Sequence, residues 1–216
     1  MAKVFHKEIL DLKQKVMDMA NLALSMLEDS INALFSKDDE LAKTVMRKKH
    51  QLREYDNVIE EQALKLIALY QPMAIDLRRL ATILKMNTYL TRIGRYGKDI
   101  AAVMRDVNDF KCHKKLINLR HIFEHVRDMI KDVLIAFNNA DISLIKDLEE
   151  RDNEVDELRW SIFRECIALM MEDPKCITAC AHYIMIARYL ERCGDHACKI
   201  AEKVHYMVTG EHIDIS

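Results

Sequence analysis

Residues 89–102 read YLTRIGRYGKDIAA, and residues 189–202 read YLERCGDHACKIAE. The two stretches share tyrosine, leucine, arginine, glycine, isoleucine and alanine at a constant shift of 100 positions. Pro72 and Pro174 also correspond, although their separation is two residues larger than this shift. A constant shift over this many positions indicates an internal duplication, in which each half of the chain forms the same structural unit.

Each half is predicted to contain three long helices. Apolar residues recur at helical spacing, and the whole chain has only four glycines and two prolines. The segment 36–39 predicts a break and a cap, the two prolines open new helices, and Gly210 fits a helix stop. The first predicted helix ends before Ser36. The others cover about 38–70, 73–108, 113–139, 141–172 with Asp141 as its cap, and 174–209.

The predicted fold is therefore all-α, with two tandem related three-helix bundles. They cover residues 1–109 and 110–216, split near Phe110. Amphipathic helices joined by short loops pack antiparallel, which favours two bundles side by side. One continuous six-helix bundle fits the same pattern.

Composition excludes several classes of protein. The formal net charge is −2, so no global basic field favours nucleic acid or an anionic membrane. The longest charge-free run, 176–187, is shorter than the ~20 residues that span a bilayer, and residues 1–7 lack a signal core. The six cysteines form no disulfide framework or zinc signature. We expect a cytoplasmic protein that neither binds nucleic acid nor inserts into a membrane.

Two acidic pairs in the second half are candidates for a binding site. Asp152 and Asp156 are four residues apart, as are Glu191 and Asp195, so each pair shares one helix face. Adjacent helices could bring these four carboxylates to one hard cation beside the core. Ordinary surface ion pairs are the alternative. An arginine lies three residues from an acidic residue in each of the pairs Arg188–Glu191, Arg192–Asp195 and Asp156–Arg159.

The sequence resembles a known family along its whole length. Residues 190–210, LERCGDHACKIAEKVHYMVTG, are similar to the last-helix signature of PhoU proteins, and Gln71-Pro72 with Asp76-Leu77-Arg78 resembles their mid-chain signature. PhoU proteins are helical two-bundle proteins that dampen the phosphate-starvation response, and several carry metal clusters on Glu/Asp-x-x-x-Asp motifs. The resemblance therefore favours the metal site over ion pairs, at Asp152, Asp156, Glu191 and Asp195.

The resemblance also implies a function and partners. It implies a regulator of phosphate uptake that acts as an adaptor between a phosphate ABC transporter ATPase subunit and a sensor histidine kinase. It further implies a homodimer without catalytic activity. The implied cofactor is a divalent or trivalent metal ion, iron first, with manganese, magnesium, calcium or zinc as alternatives.

The first half departs from the family pattern. Counting back from Pro72 places the acidic pair of the second predicted helix near Lys49 and Arg53, and Thr91 and Arg95 replace the next pair. Cationic side chains cannot ligate a metal. This face is predicted to bind an anion or an acidic partner, or to be a solvated basic surface.

Two other functions remain as alternatives. A ferritin-like oxidase or iron-handling protein would need Glu-x-x-His motifs on two helices, but only Glu202-x-x-His205 is present. No nucleophile motif or glycine-rich phosphate loop appears either. A membrane-associated accessory protein is the third interpretation. Arg78 and Arg79 could bind a phosphoryl or carboxylate group but fit an exposed helix face, and Trp160 is expected to pack.

Overall fold

The computed structural model describes residues 2–108 and 117–215, which form seven α-helices and no strand. The helices are α1 Ala2–Ser36, α2 Asp39–Arg47, α3 Lys49–Tyr70, α4 Ala74–Asn108, α5 Ile117–Asn139, α6 Leu148–Glu172 and α7 Ile177–Thr209. Short 3-10 turns at Ser143–Ile145 and Pro174–Cys176 precede α6 and α7. The expected all-α fold is confirmed, with α2 and α3 together in place of one predicted helix. The predicted split near Phe110 and the start of the fourth helix at His113 lie outside the described residues.

Most predicted helix ends follow from local hydrogen bonds. Asp38 caps α2, because its carboxylate accepts a hydrogen bond from the Leu41 amide at 2.9 Å. Gln71 ends α3 in the left-handed conformation, with φ 46°, directly before Pro72. Gly210 ends α7 with φ 82°, a conformation that glycine adopts without steric cost.

Two predicted boundaries were wrong. The predicted second helix is interrupted at Lys48, whose amide contacts both the Thr44 and the Val45 carbonyl oxygens, a tightened turn between α2 and α3. Asp141 does not cap α6. Its carboxylate accepts hydrogen bonds from the amide and hydroxyl of Ser143, at 2.9 and 3.0 Å, which closes a turn before the 3-10 segment.

The two halves share one hydrophobic core. Helices α1 to α4 pack together in the first half and α5 to α7 in the second, while α4 contacts α7 and α1 contacts α5 across the middle. The buried apolar residues of both halves form a single cluster. The bundles therefore lie side by side, as predicted, and the core runs through both.

Aromatic contacts between α4 and α7 repeat the duplication seen in the sequence. The rings of Tyr96 and Tyr189 stack at 5.4 Å between centroids, and those of Tyr89 and His196 stack at 5.7 Å. A shift of 100 residues converts one pair into the other. Such reciprocal contacts are the property of a twofold interface, so α4 and α7 meet about a local pseudo-twofold axis.

None of the helices in residues 2–108 and 117–215 has an apolar stretch sufficient to cross a membrane.

Candidate metal centre and its basic counterpart

A glycine on the last helix of each half allows the preceding helix to come close. A Cβ added to Gly194 would lie 3.2 Å from Asp152 Oδ1 on α6. A Cβ added to the matching Gly94 would lie 2.6 Å from Leu52 Cδ2 on α3. Because each glycine lacks a side chain, α6 can approach α7 closely, and α3 can approach α4 closely at the equivalent place. The two candidate sites flank these contacts.

Asp152 and Asp156 lie on α6, facing the carboxylates of α7. Asp152 is half-buried, and its carboxylate accepts a hydrogen bond from the buried thiol of Cys198. Burial, together with the negative charges of Asp195 and Asp156, raises the pKa of Asp152 to about 6. Asp156 is exposed at the rim. These two carboxylates therefore lie between the core and the surface of the bundle.

Glu191 and Asp195 supply the α7 side of the site. Glu191 is buried, one carboxylate oxygen accepts a hydrogen bond from Arg188, and the other, Oε2, has no hydrogen-bond partner. Burial raises the pKa of Glu191, and Asp195 adds to the rise while Arg188 and Arg192 oppose it. Asp195 accepts a hydrogen bond from Arg192 at 2.9 Å.

All three ion pairs that the spacing allowed are formed, the third being Arg159–Asp156 at 3.7 Å. In this arrangement no group of three or more His, Cys, Asp or Glu side chains in the described part of the chain is placed to hold a metal ion. The chemistry of the residues nevertheless fits a hard cation. Glu191 Oε2 is a buried, unpaired oxygen, and the carboxylates of Asp152, Asp156 and Asp195 repel one another in its surroundings. Metal ligation by these residues stays a prediction.

The first half carries a pocket at the equivalent position. Its volume is about 350 Å³. Thr91 and Arg95, which stand at the positions of Glu191 and Asp195, line it together with Lys49 and Arg53. The remaining lining residues are Met26, His50, Leu52 and Lys98. The structure therefore brings these basic residues together in one pocket. We call this the basic pocket.

Other residues singled out by the sequence have structural roles. Arg78 is half-buried rather than exposed, and its guanidinium lies beside Gly210 at the C-terminal end of α7. Arg79 pairs with Asp76 at 3.1 Å. Glu202 Oε1 accepts hydrogen bonds from Lys199 Nζ at 2.7 Å and from the Ile215 amide at 3.2 Å. This oxygen of the Glu202-x-x-His205 motif is therefore already occupied by protein donors.

Sequence reasoning missed two features. Cys198 is not among the predicted site residues, although it lies three residues beyond Asp195, a spacing that places both on one face of α7. Trp160 was expected to pack, but 48% of its surface is exposed. The spacing of Trp160, Phe163, Ile167 and Met171 was a signal for an apolar face, but the spacing does not indicate whether such a face is buried.

The structure places the chain in the class of duplicated all-α proteins, with two related helical bundles joined along their last helices. The PhoU domain family matches it twice, at residues 16–104 and 119–204. The chain therefore belongs to the PhoU family.

Individual relatives support this assignment over the full length. The phosphate-specific transport system accessory protein PhoU homologue of Caulobacter vibrioides is 36% identical over 214 residues, which is 98% of this chain and 92% of that protein. The Rhizobium meliloti homologue is 36% identical over 207 residues, 95% of this chain and 87% of the relative. The crystal structure of PhoU from Pseudomonas aeruginosa has a TM-score of 0.91 at 32% identity and covers 96% of this chain and 100% of that one.

Proposed function

We propose that this protein is an adaptor that regulates phosphate uptake by binding an ATPase subunit of a phosphate ABC transporter and a sensor histidine kinase. It works in the cytoplasm, as a homodimer and without turnover of its own. The main support is that full-length relatives bear the name of phosphate-specific transport system accessory protein. A regulatory protein of the phosphate transport system from Streptococcus pneumoniae has the same fold, with a TM-score of 0.84 at 27% identity over 97% of this chain and 99% of that one.

An exposed apolar stripe on α6 supports a protein-binding role. Trp160, Phe163, Ile167 and Met171 recur at three- and four-residue spacing and are 48, 37, 39 and 82% exposed. Arg159 lies over the Trp160 ring at 4.3 Å, and the Phe163 ring packs against its edge. Exposed aromatic residues with a neighbouring arginine are typical of the residues that dominate binding at protein interfaces. A cleft of about 700 Å³ borders the stripe at Trp160. We assign the stripe to the transporter subunit.

Pull-down from phosphate-replete cells tests the adaptor role. The unmodified protein is expected to recover the transporter ATPase subunit or the sensor kinase. Trp160→Ala with Ile167→Ala should reduce recovery of the ATPase subunit by about tenfold or more, since interface aromatic residues carry ~2 kcal/mol or more. Leu64→Ala with Leu69→Ala is the matched control, because these leucines are 52 and 64% exposed on α3. Recovery of neither partner, together with a reproducible ferroxidase rate, would favour the oxidase instead.

The metal site is the second part of the proposal. Asp152, Asp156, Glu191 and Asp195 hold a divalent or trivalent cation, iron first, with manganese, magnesium, calcium or zinc as alternatives. The ion would satisfy Glu191 Oε2 and compensate for the burial and the mutual repulsion that raise the pKa values of Asp152 and Glu191. Arg188 and Arg192 neutralise the carboxylates when no ion is bound.

Elemental analysis of protein purified without added metal tests this site. Asp152→Ala with Glu191→Ala is expected to abolish metal binding, because it removes one ligand from each helix. Lys49→Ala with Arg95→Ala should leave the metal content unchanged, since positive charges at the equivalent place repel a cation by about 1 kcal/mol per charge at 4 Å even in water. Undiminished metal in the first variant, or metal bound in the first half, would show the assignment to be wrong.

A further inference from the structure

We propose that the basic pocket binds a small anion that carries adjacent phosphoryl groups, such as a diphosphate. The pocket lies between α3 and α4, at the place where the second half carries its carboxylates. This assignment rests on the charges and contacts of the first half alone. It holds whether or not the adaptor role or the metal site is correct.

Three of the four lysine and arginine side chains that line the pocket lack acidic partners. Lys49, Arg53 and Arg95 form no ion pair among the described residues, and all three are exposed. The fourth, Lys98, is paired with Asp99 at 2.5 Å, and Lys48 nearby is paired with Asp29 at 2.8 Å. Three unpaired positive charges in one concave site attract an anion more strongly than any one of them on an open surface.

A buried hydroxyl group points to a ligand as well. Thr91 is 7% exposed and lines the pocket, and its Oγ1 has no hydrogen-bond partner. A helical threonine ordinarily donates its hydroxyl proton to the carbonyl oxygen one turn earlier, or contacts water. Leaving a buried polar group unpaired costs free energy, so an unpaired hydroxyl at a cationic pocket fits a ligand oxygen as its acceptor.

Charge and size favour a small multiply charged anion over an acidic protein segment. A single phosphoryl group carries about −1.5 to −2 at neutral pH, so two adjacent groups balance the three unpaired cations better than one. The planar guanidinium groups of Arg53 and Arg95 can each bind two phosphoryl oxygens, whereas Lys49 contributes a point charge. The concave shape and the buried Thr91 hydroxyl group suit a ligand that enters the pocket.

Calorimetry on the full chain, freed of metal on a chelating resin, tests the proposal with inorganic pyrophosphate in 150 mM KCl. We expect binding at one site per chain, with inorganic phosphate binding about tenfold or more weakly because it has fewer charges to pair. Arg53→Gln with Arg95→Gln should weaken pyrophosphate binding at least about tenfold, and Thr91→Val should weaken it by about threefold to tenfold. The arginine side chains are exposed, so their replacement is not expected to affect folding.

Lys65→Gln with Lys85→Gln is the matched control. It removes the same charge from exposed positions of α3 and α4 outside the pocket, and it should leave binding unchanged. The proposal is wrong if the unmodified protein fails to bind pyrophosphate, or if the control variant loses as much affinity as the arginine variant. It is also wrong if a short polyglutamate peptide of matched charge binds more tightly, because the pocket would then recognise acidic protein segments.

Discussion

The half-buried position of Asp152 in the fold disfavours the negative charge of its carboxylate. It is half-buried on α6 and faces Asp195, and its pKa is raised from 3.8 to about 6. Between these two values the folded chain binds more protons than the unfolded chain. The free energy of unfolding therefore decreases as the pH rises from about 4 to about 6. This penalty is a property of the metal-free protein.

Asp152→Asn should stabilise the metal-free protein at pH 7. The amide removes the buried charge, and its oxygen can still accept the hydrogen bond from Cys198. We expect the free energy of unfolding to rise by about 1–3 kcal/mol at pH 7 and to change little at pH 4. Urea denaturation of both proteins at the two pH values measures the difference. A variant that is equally destabilised at both pH values would contradict the prediction.

Residue spacing predicted the ion pairs of the second half but not the burial of their members. Arginines three residues from Glu191 and Asp195 do pair with them. The spacing did not distinguish Glu191, which is buried, from Asp156, which is exposed. That difference arises from packing between helices, which no local pattern contains.

Close helix packing depends on glycine most strongly at Gly97. A Cβ added there would lie 2.7 Å from the backbone carbon of Met26 and 2.8 Å from its oxygen, so α4 rests directly on the backbone of α1. At Gly94 the nearest atoms belong to the end of the Leu52 side chain, which can change rotamer. The two glycines are therefore expected to tolerate alanine differently.

Gly97→Ala should destabilise the protein, whereas Gly94→Ala should be nearly neutral. Alanine favours a helix over glycine by about 1 kcal/mol, but overpacking against backbone costs about 1–3 kcal/mol or more. We expect Gly97→Ala to lower the free energy of unfolding by about 1–2 kcal/mol net and Gly94→Ala to change it by less than about 1 kcal/mol. Denaturant titration followed by circular dichroism measures both. Equal effects would mean that α1 moves away from α4 without cost.

The helices were predictable along the chain because apolar residues recur at helical spacing and few helix-breaking residues interrupt them. The exact helix boundaries were less predictable. Nothing in the sequence around Lys48 resembles a helix stop, yet the chain turns there. Asp141 resembles a cap but closes a turn with Ser143, since an aspartate can bond either kind of backbone amide.

The shared core predicts that the whole chain unfolds as one cooperative unit. Buried residues of both halves belong to one cluster, and α4 contacts α7 along the middle. Neither half can unfold without exposing apolar surface of the other. The duplication was visible in the sequence, but whether the halves had separate cores was not, because one pattern fits both arrangements.

Urea unfolding is therefore expected to show a single transition. Trp160 is the only tryptophan and lies in the second half, so its fluorescence reports on that half, while far-ultraviolet circular dichroism reports on all helices. The two probes should give the same midpoint. An earlier fluorescence transition would show that the second half unfolds independently.

The pseudo-twofold contact of α4 with α7 has an evolutionary consequence. In an assembly of two identical subunits, any mutation changes both equivalent positions at once, so a gain at one site is also imposed on the other. Joining the two copies in a single gene removes that restriction, and selection can then act on each position separately. Carboxylates at one position and cations at its counterpart are an outcome open to a fused pair and closed to its unfused ancestor.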